Sequence, residues 1–122
     1  MILSEYVPEI LLKREALNAE YNEACRLLDD LEKDDNSAEV ELNFIRLRIT
    51  QLKKEQHATD DATLQILEQF RNNNRLYVIL MLRYFVGYKW EDIGKLLHIK
   101  VNAAKARVLR AFKKAFLAPS SF

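Results

Sequence analysis

The chain has 122 residues, a formal net charge of +1, 49% hydrophobic and 30% charged residues, and only two glycines and two prolines. That length allows one domain, or one small domain with a helical extension, and the composition excludes a disordered chain and a turn-rich β protein, leaving all-α as the expected class. No run of about 18 apolar residues is present, so no membrane span is expected, and the lone Cys25 together with a start lacking a basic segment and a cleavage site points to a reducing cytoplasm.

The near-neutral total hides a division. Residues 1 to 62 hold eight Lys or Arg against fifteen Asp or Glu, a net −7, whereas residues 63 to 122 hold eleven against three, a net +8. Such asymmetry directs only the second half toward a polyanion.

In chain order, Pro8 suits a first helical position because its φ is fixed, and a first helix is expected from there to about Lys33. Ile10, Leu17, Ala24 and Leu31 repeat every seven residues, with Val7, Tyr21 and Leu28 on the interleaved row and Arg14 interrupting it. A stripe of this kind is a coiled-coil seam. Asp34-Asp35-Asn36-Ser37 ends the helix, Asn36 and Glu39 fit a capping box, and a second helix over about Ala38 to His57 carries Leu42, Ile45, Ile49 and Leu52.

Two seams joined by a short polar turn form an antiparallel helical hairpin. Leu11, Leu12, Leu27, Phe44 and Leu47 lie beside the seams, and apolar surface left over after one hairpin has closed argues for self-association. Residues 1–58 are therefore expected to be a hairpin that pairs two copies, with Ile10, Leu17, Tyr21, Leu28, Leu31, Leu42, Ile45, Ile49 and Leu52 as the dimerisation residues. The competing expectation is that this surface packs on the chain's own carboxy-terminal half.

Ala58 to Asp61 reads as a hinge, with Thr59 or Asp60 capping a third helix that ends at Arg71-Asn72-Asn73-Asn74, where successive asparagines compete for backbone hydrogen bonds. A fourth helix, Arg75 to Val86, is apolar nearly all round and is expected to be a buried spine closed by Gly87. Residues 59–117 are expected to form the DNA-binding domain and 118–122 a flexible tail.

From Tyr88 to Phe116, YKWEDIGKLLHIKVNAAKARVLRAFKKAF, two short helical patterns flank the turn Leu97-His98-Ile99. Lys95 to Lys114 contains seven cations and no carboxylate. This is the layout of a helix-turn-helix, in which one helix braces another in the major groove. Ala104, Val108, Ala111 and Ala115 give the second helix a narrow inward stripe. Its other side presents Asn102, Ala103, Lys105, Ala106, Arg107, Arg110 and Lys113, with Lys89, Lys100 and Lys114 nearby. Asn and Arg read adenine and guanine edges, and small residues admit close approach. A basic run alone is more readily a solvated helix face; its coincidence with the two-helix spacing is what points to duplex DNA.

The segment Leu82-Arg83-Tyr84-Phe85-Val86-Gly87-Tyr88-Lys89-Trp90-Glu91-Asp92-Ile93-Gly94, continued by Leu97, Ile99, Val101 and Lys105-Ala106-Arg107, resembles region 4 of bacterial sigma-70-type factors. Its pairing with a helical amino-terminal half is similar to small phage regulators of late transcription, the ArpU type. The expected fold is thus all-α, an N-terminal antiparallel coiled-coil hairpin followed by a sigma-70 region 4-like helix-turn-helix domain. The resemblance implies a promoter-binding regulator with RNA polymerase as a further partner. Lys89 and Lys100 stand where that family carries a hydroxyl cap, and His98 where it carries the turn glycine. Two other readings share the pattern: a small terminase subunit, which would assemble into rings, and a polymerase-binding adaptor that ignores DNA.

Nothing in the sequence supports catalysis. His57 and His98 are the only histidines, and no Cys or carboxylate cluster has zinc-ligand spacing. Asp29-Asp30, Asp34-Asp35 and Asp60-Asp61 read as caps or solvated turns, and there is no glycine-rich phosphate loop. Neither an enzyme nor a cofactor or metal is expected.

Overall fold

A computed structural model describes residues 3–116, and every element within them is helical. The tail expected over 118–122, and Leu117, lie outside the described residues. A single 3-10 turn, Leu3–Tyr6, precedes α1, Glu9–Glu32. Pro8 sits one position before the helix, where its carbonyl accepts the amides of Leu11 and Leu12 at 3.0 and 3.1 Å.

The turn after α1 uses an aspartate rather than the expected capping box. The Asp34 carboxylate accepts the Asn36 amide at 2.9 Å, the N-cap position falls on Ala38 without a side-chain cap, and Glu39 instead accepts from Arg46 at 3.2 Å. Asp34 closes the tighter local ring first, so Asn36 is spent as a donor.

From there α2 runs unbroken over Glu39–Leu67, 29 residues and about 43 Å at 1.5 Å per residue. The hinge expected at Ala58 to Asp61 is helix interior. No Gly or Pro interrupts this stretch, and its polar groups are used inside the helix. The Thr59 hydroxyl donates back to the Gln56 carbonyl at 2.7 Å, and Asp60 is held by Arg14 of α1. Residues that favour caps lose that preference when a helical alternative satisfies them.

α1 and α2 pack antiparallel along their length. Leu17 and Leu52 are buried between them, Glu20 pairs with Arg48 at 2.6 Å on the flank, and the Lys53 ammonium lies 6.0 Å from the ring centre of Tyr21. The remaining seam residues Ile10, Tyr21, Leu28, Leu31, Leu42, Ile45 and Ile49 are half-buried. Of the apolar residues flanking the seams, Leu11 is fully buried, whereas Leu27, Phe44 and Leu47 are exposed.

After a 3-10 turn, Glu68–Phe70, the Asn73 side chain accepts the Leu76 amide at 3.3 Å and starts α3, Asn74–Leu80. This helix widens into a π-helical turn, Met81–Val86, and stops at Gly87, whose φ of 98° is left-handed. Leu82 O accepts both the Gly87 and Tyr88 amides, at 3.0 and 2.8 Å, so the C-terminal carbonyls are closed in the manner of a glycine-terminated helix. The expected spine is therefore present. Leu76, Ile79, Leu80 and Tyr84 are buried, while Val78 and Val86 face outward.

One core unites both ends of the chain. Val7 and Leu11 join Leu67, Leu76, Ile79, Leu80, Tyr84, Trp90, Ile93, Ala104, Val108 and Phe112 in a single buried cluster. The first residues thus complete the hydrophobic interior of the carboxy-terminal helices, a long-range contact that burial favours because it removes apolar area from water at both partners.

Candidate nucleic-acid interface

Two short elements set the site. α4, Trp90–Leu97, buries Trp90, Ile93 and Gly94, and α5, Val101–Phe116, buries Ala104, Val108 and Phe112. The turn between them is possible because of two residues. His98 takes φ 54° and ψ 46°, the left-handed conformation expected of the turn, and the Ile99 amide then closes on Gly94 O at 3.0 Å. Histidine is one of the few non-glycine types that tolerates this region. A Cβ at Gly94 would lie 2.9 Å from the Ile99 carbonyl oxygen, so the returning backbone rests directly on the glycine. At the other side Arg75 donates to Leu97 O at 2.7 Å, satisfying one of the carbonyls that end α4.

The inward stripe of α5 differs from the expected one in one place. Ala104 and Val108 are buried and Ala111 is half-buried, but Phe112 rather than Ala115 completes the contact and Ala115 is exposed. Phe112 stacks in tilted geometry with Phe70, Tyr84 and Phe116 at ring separations of 5.7, 6.0 and 5.6 Å. An aromatic cluster of that size has the stronger claim on the interior.

Opposite that stripe, Asn102, Ala103, Arg107, Arg110 and Lys114 are exposed and Ala106 is half-buried. Lys89 and Lys100, at the starts of the two helices, are exposed too, and Lys89 makes no side-chain cap. Lys105 and Lys113 lean inward: their ammonium groups stand 5.9 Å from the Trp90 ring centre and 5.1 Å from that of Tyr6. Among the described residues none of Lys89, Lys100, Arg107, Arg110 and Lys114 forms an ion pair, but Lys89 lines a cleft with Asn22, Glu23 and Arg26 of the hairpin. Arg107, Arg110 and Lys114 also edge a groove of about 800 Å³ whose other wall carries Asn72 and Asn73 and whose floor includes Phe70 and Leu76. Seven of the ten expected DNA residues are thus exposed, Ala106 is half-buried, and two lysines are drawn toward aromatic rings; Arg107, Arg110 and Lys114 border one groove, Asn102 another and Lys89 a third.

The feature that sequence reading missed holds this surface in place. Arg14, Asn18 and Asn22, one helical turn apart on α1, reach the carbonyls at the end of the π-helical segment: Arg14 to Phe85 O at 2.9 Å, Asn18 to Tyr84 O at 3.0 Å and Asn22 to Gly87 O at 3.1 Å. A helix end leaves carbonyls without partners, and these three side chains supply them from another helix. Their signal was present as polar residues at steps of four inside an apolar pattern, where Arg14 looked like a mere interruption of a heptad.

Arg83, inside the same segment, pairs with Glu15 at 2.7 Å and lies 5.1 Å over Trp90. α1 therefore fixes α4 as well.

Residues 77–114 match the family model described as Sigma-70, region 4. The match begins within α3, passes through the π-helical turn and α4, and ends near the end of α5. These helices are thus similar to a sigma-70 region 4 helix-turn-helix, a domain type that binds DNA in transcription. It covers less than half of the chain, and the hairpin lies outside it. No curated protein and no solved structure matches the chain. No helix among the described residues is long and apolar enough to cross a membrane.

Proposed function

We propose, from a region 4 match over residues 77–114, that this protein is a sequence-specific regulator of transcription that binds double-stranded DNA as a homodimer. α5 enters the major groove. Asn102 and Arg107 address base edges, Ala103 and Ala106 permit close approach, and Lys89, Lys100, Arg110, Lys113 and Lys114 bind phosphates. Lys105 reaches the backbone by leaving the Trp90 ring. The hairpin of residues 1–58 serves assembly, and residues 59–117 serve DNA. Because the matched domain type is that of a promoter-reading factor, RNA polymerase is the natural second partner, and we assign the activity to late genes of a phage or prophage, in the bacterial cytoplasm at the nucleoid, on the sequence resemblance alone.

The observation that carries this reading is the exposed set Arg107, Arg110 and Lys114 on α5, none of them in an ion pair among the described residues and their shared groove lined by no carboxylate. An unpaired cationic face of this shape costs nothing to expose in the presence of a polyanion, whose counterions it releases. Titration of random duplex at several salt concentrations tests it. With about six phosphate contacts per copy, log K per copy should fall against log salt with a slope of about −5.4. A chain that binds no duplex in dilute buffer refutes the proposal in favour of a polymerase-binding adaptor. Selection from a random duplex library then yields the preferred site.

A further inference from the structure

Three side chains on the outer face of α2 are far more exposed than their chemistry favours: Val40 at 79%, Phe44 at 68% and Leu47 at 58%. At 100° per residue they form one stripe, spaced four and then three. It lies on the opposite side of the helix from Leu42, Ile45, Ile49 and Leu52, which face α1, so closing the hairpin cannot cover it.

The charges around this stripe have an order. Glu41 and Arg48 project along one flank, and Glu39 and Arg46 along the other. Both acids lie toward the start of the helix and both arginines lie further along. A parallel pair of such helices would set acid against acid and arginine against arginine. An antiparallel pair related by a two-fold axis does the reverse, because that axis keeps each flank on its own side while inverting direction. If the axis passes between Asn43 and Phe44, Val40 falls beside Leu47 of the other copy, Glu41 beside Arg48, and Glu39 beside Arg46. The segment from Glu39 to Arg48 is in this sense charge-palindromic: one register satisfies its apolar centre and both flanks together.

We propose that the outer face of α2 around Phe44 is a two-fold, antiparallel contact with a second copy of this chain. It deepens the dimeric part of the proposed function and does not depend on DNA binding. The pairs these arginines already make are exchangeable. Arg48 holds Glu20 and Arg46 holds Glu39 and Glu32, with arginine side chains 42% and 43% exposed, and ion pairs so exposed are weak. An isologous contact closes at two copies, whereas a ring would require a heterologous one. The patch is short, so the dimer is a weak one with micromolar dissociation. From Phe44 to the helix-turn-helix core at Leu67 is about 35 Å along α2, which would put the two DNA-reading ends about 70 Å apart.

The test is sedimentation equilibrium of the full chain, without DNA, across the micromolar range. The unaltered chain should dimerise reversibly. Glu39→Arg/Glu41→Arg and Arg46→Glu/Arg48→Glu should each weaken self-association at least tenfold, since every cross-pair becomes repulsive. Mixed in equal amounts, the two variants should pair with each other, which also shows that both are folded. Phe44→Asp should be monomeric with unchanged helix content by circular dichroism. A chain that stays monomeric throughout, or a dimer indifferent to Phe44→Asp and to both charge variants, overturns the proposal. DNA binding by Arg107→Ala is read separately, so loss of one property does not imply loss of the other.

Discussion

The guanidinium of Arg14 on α1 donates to the carboxylate of Asp60 on α2 at 2.5 Å, with 6% and 25% of the two side chains exposed. The same nitrogen reaches Thr59 Oγ1 at 2.9 Å and Gln56 O at 2.7 Å, and the other terminal nitrogen reaches Phe85 O at 2.9 Å. One cation therefore ties the hairpin to the helix that leads into the helix-turn-helix, and the Phe85 ring, 4.9 Å from its carbon, covers it. A buried charge without its partners is costly, so the arrangement enforces a single geometry whatever its net contribution.

Replacing Arg14 by Met should lower stability by about 3–5 kcal/mol, because Asp60 would keep its charge in a half-closed site and two carbonyls would lose a donor. The change should be read as a lower urea midpoint. Arg14→Met/Asp60→Asn should recover part of the loss. If the single variant unfolds at the original midpoint, the network has no energetic role.

Burial acts against the ionised Asp60 carboxyl, but hydrogen bonds from Arg14 and then His57 outweigh it and hold its pKa below the ordinary 3.8. A carboxylate depressed in the folded state contributes stability that is present above its unfolded pKa and lost as pH falls through the folded one. Unfolding midpoints should accordingly drop on acidification from just above pH 3.8 downward, and Asp60→Asn should make that limb shallower. An unchanged acid limb in Asp60→Asn would assign the loss to other carboxylates.

Leu11 lies on the first helix but within the core of the helix-turn-helix, fully buried. Leu11→Ala should cost about 2–5 kcal/mol. Amide exchange in α4 and α5 should quicken along with that in the hairpin. If protection in α4 and α5 is untouched, the two halves unfold independently.

The turn of the helix-turn-helix offers a paired test. Gly94→Ala forces a Cβ to 2.9 Å from Ile99 O and should destabilise by about 1–3 kcal/mol, as overpacking against backbone does. His98→Gly removes a side chain from the left-handed region, where L residues are strained by about 1–2 kcal/mol, and should raise the thermal midpoint. Opposite signs are expected from two changes only four residues apart.

For DNA, Arg107→Ala should lose about 1–3 kcal/mol on the selected site and relax its sequence preference, whereas Lys114→Ala should weaken all duplexes alike and reduce the salt slope by about one. Competition binding with specific and random duplex separates the two. Equal losses on both duplexes from both variants would remove the base-reading role of Arg107.

The first helix, the two helices of the helix-turn-helix, the turn at His98, the stop at Gly87 and the cationic run without a carboxylate after Asp92 were all legible in the chain. Each depends on neighbours within a few residues, on periodicity, backbone preference and local charge. Four things were not, beginning with the capping box expected of Asn36 and Glu39, which Asp34 pre-empts by accepting the Asn36 amide. The expected hinge at Ala58 to Asp61 is helix because its polar groups find partners on α1; Ala115 yields to Phe112 because three other rings gather there; and Arg14 changes from an interruption into the joint of the molecule because Asp60 and Phe85, 46 and 71 residues away, converge on it. Local pattern states which side chains a helix presents and on which side. Only the tertiary arrangement decides what each presented group meets, since a polar residue is a cap, a solvated surface or a buried anchor according to partners that come from distant parts of the chain.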